Sequence, residues 1–161
     1  MSLSFTPTTQ VSLDIAPHEI LTTRWLAAPP DKVWLAFTTR GQVEQWWGPA
    51  GFTTTTAEMD VRPGGVWRHT MHGPDGRDWP NRVLYTRVEA PHRLEWAHDD
   101  DSGGEPLFRC SVTLQAQDGG TALTLRHTFA SGAARDANLA ISGAVQGAID
   151  TTNRLAHHLA L

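Results

Sequence analysis

A strand–turn–strand stretch over residues 59–76 constrains the fold more than any other part of this sequence. Pro63 presets φ for a tight turn, and Gly64-Gly65 can take positive-φ positions that other residues resist. The next residues, Val66–His72, alternate between the two faces of a predicted strand. One of these faces carries an indole, an imidazole and a thioether, from Trp67, His69 and Met71. Because a solid core more often holds Val, Ile and Leu, this mixed face indicates a cavity.

The same pattern of strands and turns continues through most of the chain. Asp118-Gly119-Gly120 is the clearest hairpin signal. The predicted strands cover residues 18–27, 52–60, 66–72, 82–88, 94–98, 107–115 and 121–129, and residues 11–15 are compatible with a short edge strand. Consecutive hairpins imply one antiparallel sheet with a face available to helices.

Helical patterns flank this β-rich region. Pro29-Pro30-Asp31 is a helix start signal, and Gly41 separates the two short helices predicted there. Residues 133–159 contain many alanines, no proline and apolar residues near helical spacing, which predicts one long helix of roughly 40 Å. Since a six-residue strand spans only ~20 Å, that helix must cross the whole sheet.

Composition narrows the class of protein and its partners. The 161 residues suit one domain, predicted over 18–161, after a partly flexible N-terminal extension over 1–17. A net charge of −4 without a Lys or Arg run argues against nucleic acid and anionic membranes as partners. No apolar run reaches the ~20 residues of a membrane helix. With one cysteine and no signal-peptide pattern, we expect a cytoplasmic protein. Whether Met1-Ser2-Leu3 is native stays open.

The motifs, in their order, resemble those of the SRPBCC (START-related) superfamily, and of its branch named after the activator of the heat-shock-protein ATPase. The matching residues are Arg24, Ala28-Pro29, Val33-Trp34, Trp46-Trp47-Gly48-Pro49, Asp60–Arg68, Met71, Gly73-Pro74-Asp75-Gly76, Tyr85, Pro91, Arg93-Leu94 and Gly119-Gly120-Thr121. The resemblance implies an α+β helix-grip fold: a curved antiparallel sheet of about six or seven strands around a long C-terminal helix, with two short helices after the first strand. It also implies an apolar pocket between sheet and helix.

The chain departs from the branch pattern on its C-terminal helix. Gly147-Ala148 stands where the branch usually has Gly-Trp, and Thr152 replaces a usual Leu. These smaller side chains suggest a wide pocket, unless one of the seven tryptophans fills the space. The predicted ligand-binding residues are Trp67, His69, Met71, Tyr85, Trp96, Phe108, His127, Val145, Ala148 and Thr152. In the competing interpretation, these side chains pack in a solid core and their polar atoms form hydrogen bonds within the protein.

Two more specific interpretations of the polar residues, a metal site and a nucleophile, have less support from the sequence. His69 and His72 point to opposite faces of one strand, so they cannot share a metal ion, and we predict no metal or other cofactor. Cys110 and His127 could form a nucleophile and base, but both lie on apolar strand faces, where a thiol is usually inert. The resemblance carries over no catalytic residues.

Three functions remain open at this point. The first is binding of a small hydrophobic molecule, as a carrier or sensor. The second is an enzyme acting on a hydrophobic or polyketide-like molecule with Tyr85 or His69 as acid or base. The third, suggested by the branch name, is a chaperone-interacting domain, ranked last because the N-terminal module of such co-activators is not in the sequence. We expect a monomer or a homodimer.

Overall fold

A computed structural model describes residues 8–160 as an eight-stranded antiparallel sheet with four helices. The strands are β1 (Gln10–Ser12), β2 (Glu19–Leu26), β3 (Thr53–Met59), β4 (Val66–His72), β5 (Asp78–Glu89), β6 (Arg93–Asp99), β7 (Phe108–Gln117) and β8 (Gly120–Thr128). The helices are α1 (Pro30–Thr38), α2 (Arg40–Trp46), α3 (Gly132–Ser142) and α4 (Ala144–Leu159). Met1-Ser2-Leu3 lies outside the described residues. No helix in this range is long and apolar enough to cross a membrane.

The sheet runs in the order β1-β2-β8-β7-β6-β5-β4-β3. Strands β3 to β8 follow one another as hairpins, and β2 closes the sheet by pairing with β8 over its full length. The turn before β4 has the predicted geometry, since Gly64 has a φ of 84°. A Cβ on Gly65 would lie 2.0 Å from the carbonyl oxygen of Asp60, so this position requires glycine for space.

The sheet has more strands than the six or seven that the sequence analysis predicted. The eighth is the short edge strand β1, which lies inside the predicted extension 1–17 and pairs with β2. Strand β5 also begins at Asp78, four residues earlier than its predicted start. Hairpin pairing with β4 extends it, because Trp79 and Pro80 lie opposite Met71 and Thr70.

The two short helices form as predicted. Pro30 occupies the first turn of α1, where its missing N–H is not needed. Val33, Ala36 and Phe37 are buried on α1, and Trp46 is buried on α2. The Trp46 indole donates to the Ala36 carbonyl at 3.0 Å, which joins the two helices.

The prediction of one continuous C-terminal helix is wrong. Gly143 has a φ of 59° and a ψ of 42°, in the left-handed region, and separates α3 from α4. A left-handed residue ends an α-helix, and glycine adopts this conformation without the steric penalty that a side chain brings. The element that covers the sheet is therefore the 16-residue α4, about 24 Å long.

Hydrogen bonds connect α4 to α1 and to the loop that follows α2. Thr152, Leu155 and Leu159 are its buried residues, and they join the core. Lys32 of α1 donates to the Leu159 carbonyl at 2.7 Å. Arg154 donates to the carbonyls of Trp47, Gly48 and Pro49, at 3.3, 2.9 and 3.1 Å. The helix is thus held against the loop that follows α2, in the helix-grip arrangement.

Candidate functional site in the sheet interior

The inner face of the sheet is lined by large aromatic side chains and imidazoles. Strand alternation turns Trp67 and His69 of β4, Tyr85 of β5, and Trp96 and His98 of β6 to this face, and all five are buried. The Trp67 indole donates to the Thr56 hydroxyl of β3 at 3.1 Å. The mixed face predicted from the alternation of β4 therefore continues across the neighbouring strands.

A small enclosed space lies among these aromatic rings. Its volume is about 10 Å³, comparable to a single water. It is lined by Phe37, Trp47, Trp67, Val83, Tyr85, Leu94 and Trp96. Trp47 is one of these residues, with its ring centroid 5.0 Å from that of Trp67 and 6.2 Å from that of Trp96. The interior is therefore closed as it stands, and Trp47 contributes much of the closure.

A chain of ring contacts leads from this space along the inner face. His69 stacks on Trp67 with ring centroids 3.8 Å apart, and its ring is 6.2 Å from that of His98. His98 stacks on Phe108 at 4.6 Å, and Phe108 lies 5.0 Å from His127. Four strands, β4, β6, β7 and β8, thus contribute to one continuous row of flat side chains.

Several buried polar atoms on the inner face of the sheet have no hydrogen-bond partner among residues 8–160. They are both ring nitrogens of His69, the Nδ1 atoms of His98 and His127, the Trp96 indole nitrogen, the Thr22 hydroxyl and the Nε atom of Arg24. An unpaired buried polar group costs roughly 1–3 kcal/mol. Native interiors seldom retain one without a function or a bound molecule to explain it. Here several converge on one face of one sheet.

Asn81 determines which ring nitrogen of His98 carries the proton. The Asn81 amide nitrogen donates to the Trp79 carbonyl at 2.8 Å, which leaves its amide oxygen to accept from His98 Nε2 at 2.7 Å. His98 Nε2 therefore carries the proton, and a neutral His98 presents a bare lone pair at Nδ1. That atom can accept a hydrogen bond from a hydroxyl or amide group.

The three inner-face histidines are uncharged at neutral pH. Burial, together with the nearby His98, lowers the pKa of His69 to about 3. Burial also lowers the pKa values of His98 and His127, each to about 4. Burial raises the pKa of the Tyr85 phenol, which therefore stays protonated. The three histidines and Tyr85 therefore offer neutral hydrogen-bonding groups within apolar walls, whereas Arg24 of β2 brings a guanidinium to the same face and donates to Asn153 of α4 at 2.6 Å.

The structure distributes the predicted ligand-binding residues over four places. Trp67, Tyr85 and Trp96 line the enclosed space, while His69, which stacks on Trp67, belongs with Phe108 and His127 to the row of rings. Met71 lies towards the end of β4, half-buried near Gly48. The α4 residues are separate: Val145 and Ala148 are half-buried, and neither lines the enclosed space. Thr152 is buried, and its hydroxyl contacts Thr9 and donates to the Ala148 carbonyl.

Sequence reasoning missed three residues of this interior. His98 alternates with Leu94 and Trp96, a signal that was present in the sequence but not used for the site. Asn81 was outside the predicted strand, which was begun at residue 82. Trp47 is not among the predicted ligand-binding residues, yet it lines the enclosed space, whereas the indole of the neighbouring Trp46 bonds between the two short helices.

The residues considered for nucleophilic or metal chemistry have unfavourable surroundings. Cys110 and His127 lie directly opposite each other on β7 and β8. Burial raises the pKa of the Cys110 thiol, and the neutral His127 beside it provides no cation to stabilise a thiolate. His72 lies on the opposite face of β4 from His69 and contacts Asp78. Within residues 8–160, no three metal-ligating side chains are grouped to hold an ion.

Comparison with known proteins agrees with this architecture. The family model for activator of Hsp90 ATPase homolog 1-like proteins matches residues 27–160. The chain belongs to this family. None of the curated proteins matches it significantly. Family membership accounts for the sheet, the two short helices and the C-terminal helix, whereas it assigns no role to individual side chains.

Solved bacterial structures share the fold along nearly the whole chain. A protein of Mycobacterium smegmatis is 28% identical, with a TM-score of 0.83 over 94% of this chain and 96% of its own. A protein of Arthrobacter aurescens is 25% identical, with a TM-score of 0.84 over 94% of this chain and 91% of its own. A protein of Rhodobacter sphaeroides is 25% identical, with a TM-score of 0.82 over 94% and 97% of the two chains.

Proposed function

We propose that the protein binds a small hydrophobic molecule between the sheet and the C-terminal helix, as a carrier or sensor. The observation that carries this proposal is the row of unpaired, buried polar atoms between aromatic walls. Small-molecule sites commonly combine apolar lining with a few convergent polar groups. A bound molecule would supply the hydrogen bonds that the protein itself does not provide.

Binding requires the interior to open, because about 10 Å³ holds no organic ligand. Trp47 is the side chain whose displacement opens it most directly. Trp47 is the C-cap of α2 and is followed by Gly48, which has a φ of 105°. Outward rotation of Trp47 would join the enclosed space to the face of His69, since these two rings are 5.9 Å apart.

The polarity around His69 and His98 favours an uncharged ligand with a hydroxyl group. Neutral His69 and His98 bring no positive charge to offset an ionised carboxylate. The lone pair on His98 Nδ1 suits a hydroxyl donor. Acid–base catalysis by His69 or Tyr85 is a weaker alternative, because both pKa values are displaced away from neutral pH.

The test is a thermal-shift and tryptophan-fluorescence screen against uncharged hydroxylated aromatics and matched analogues without the hydroxyl. We expect some hydroxylated compounds to raise the Tm and quench fluorescence. His98→Phe should reduce the preference for the hydroxyl by about tenfold, since one hydrogen bond is worth about 1.4 kcal/mol. His157→Phe, at an exposed position on α4, is the control. Failure of every compound to bind would contradict the proposal.

Other features of this proposal rest on composition and chain organisation. We place the protein in the cytoplasm, because its single cysteine is buried and fits a reducing compartment. Residues 18–161 remain the proposed domain, after an extension over 1–17. A homodimer stays a prediction that sedimentation analysis would test. The chaperone-interacting alternative is supported by the family description alone.

A further inference from the structure

The outer face of the sheet carries a polar groove unrelated to the interior. It lies across β6, β7 and β8 and has a volume of about 460 Å³. Small hydroxyl side chains form its floor, and long charged side chains stand around it. The floor residues are Ser111, Thr113, Thr124 and Thr128, and the arginines are Arg93, Arg109 and Arg126.

Strand register explains why this face is hollow. Ser111 lies directly between Glu95 of β6 and Arg126 of β8, and Thr113 lies between Arg93 and Thr124. Ser111 thus has a long charged neighbour on each side, while Thr113 has one only on β6, and Thr124 continues the short side chains onto β8. Since side chains on one face of a sheet stand roughly parallel, this pattern produces a depression with a charged rim.

The arginines of the rim are only partly neutralised. Arg93 pairs with Glu95 at 2.6 Å, and Arg126 pairs with Glu19 at 2.9 Å. Arg109 is exposed and makes no ion pair or hydrogen bond among residues 8–160. In a chain with 17 acidic and 13 basic residues, this cluster of arginines with one unpaired member is a local excess of positive charge.

We propose that this groove binds a soluble organic phosphate, with the phosphate group held by Arg109 and Arg126 over the hydroxyl floor. Arginine and hydroxyl groups are hydrogen-bond donors suited to phosphate oxygens. The one carboxylate in the groove, Glu95, is already engaged by Arg93 and by Arg87 at 3.4 Å. The volume exceeds what an inorganic anion needs and lies in the range of small-molecule sites.

Amide NMR with pyrophosphate and a small phosphate monoester as probes tests this inference. We expect saturable shifts of the Ser111, Thr113 and Thr128 amides, with weaker binding at higher salt. Arg109→Gln should weaken binding by about tenfold or more, the equivalent of one lost charge-assisted hydrogen bond. Its Tm should stay unchanged, because the exposed Arg109 side chain forms no ion pair or hydrogen bond among residues 8–160.

Arg62→Gln is the matched control, since Arg62 is an exposed arginine in the turn between β3 and β4. It removes the same charge elsewhere and should leave binding unaltered. If the two substitutions weakened phosphate binding equally, net charge would explain the effect, and the proposed site would be overturned. Absence of saturable shifts would also overturn it, as would binding to phosphatidic acid vesicles without binding to soluble phosphates. Because the probes are hydrophilic, the result is independent of the hydrophobic interior site.

Discussion

Replacement of His69 by phenylalanine should reduce the sensitivity of the protein to mild acid. His69 is 3% exposed, stacks on Trp67 and has no hydrogen-bond partner for either ring nitrogen in the part of the chain that the structure describes. Burial and the nearby His98 lower its pKa from 6.5 to about 3 in the folded protein. Phenylalanine preserves a flat ring against Trp67 but cannot take up a proton.

The direction of the change in stability follows from the protons that the folded and unfolded states bind. Above pH ~6.5, His69 is neutral in both states, so the full stability is present. As the pH falls below that value, the unfolded chain takes up a proton that the folded protein does not, and the free energy of unfolding decreases until the folded pKa is reached. One pKa unit corresponds to 1.36 kcal/mol, so His69 accounts for a loss of about 1.4 kcal/mol at pH ~5.5.

His98 is 7% exposed and adds a second loss of similar size, because burial lowers its pKa to about 4. Urea unfolding, followed by tryptophan fluorescence at pH ~7.5 and pH ~5.5, measures both losses of unfolding free energy. The decrease in unfolding free energy should be about 1.4 kcal/mol smaller in His69→Phe than in the parent. His157→Phe, altered at an exposed position, should match the parent. An equal decrease in the parent and His69→Phe would refute burial of a neutral imidazole.

Three further substitutions or truncations test the fold. Gly65→Ala should lower the free energy of unfolding by more than ~1 kcal/mol, because its Cβ would lie 2.0 Å from the Asp60 carbonyl oxygen. Gly41→Ala is the control: its Cβ would have no atom within 4 Å, so urea unfolding should show a neutral or stabilising effect. Arg154→Met should cost about 1.5–3 kcal/mol through loss of its bonds to the Trp47, Gly48 and Pro49 carbonyls, and an unchanged Tm would contradict this. Removal of residues 144–161 should yield an aggregating chain by light scattering, since Leu155 and Leu159 no longer cover the core; a soluble folded monomer would disprove that packing.

Features that depend on neighbouring residues could be predicted from the sequence. Alternation placed Trp67 and His69 on one face of β4, and the structure buries both. Proline and glycine marked the turns and the start of α1, because these residues restrict or release φ locally. The same patterns predicted the order of the elements, and the family resemblance, confirmed over residues 27–160, implied the same fold.

Gly143 shows where local information was insufficient. Its alanine-rich surroundings favour continuous helix, while glycine permits both helical and left-handed conformations. Sequence periodicity does not distinguish these outcomes. Only the folded protein, in which α3 and α4 are separate helices, shows that Gly143 takes the left-handed one.

Which side chains meet one another in the interior depends on the tertiary structure. Trp47 follows α2, yet it lies over Trp67 and Trp96 of two other elements. The row from His69 through His98 to His127 joins β4, β6 and β8, whose proximity depends on the order of strands in the sheet. The lowered pKa values depend in turn on that shared burial. Spacing along the chain specifies which face a residue occupies, whereas strand order specifies which residues meet there.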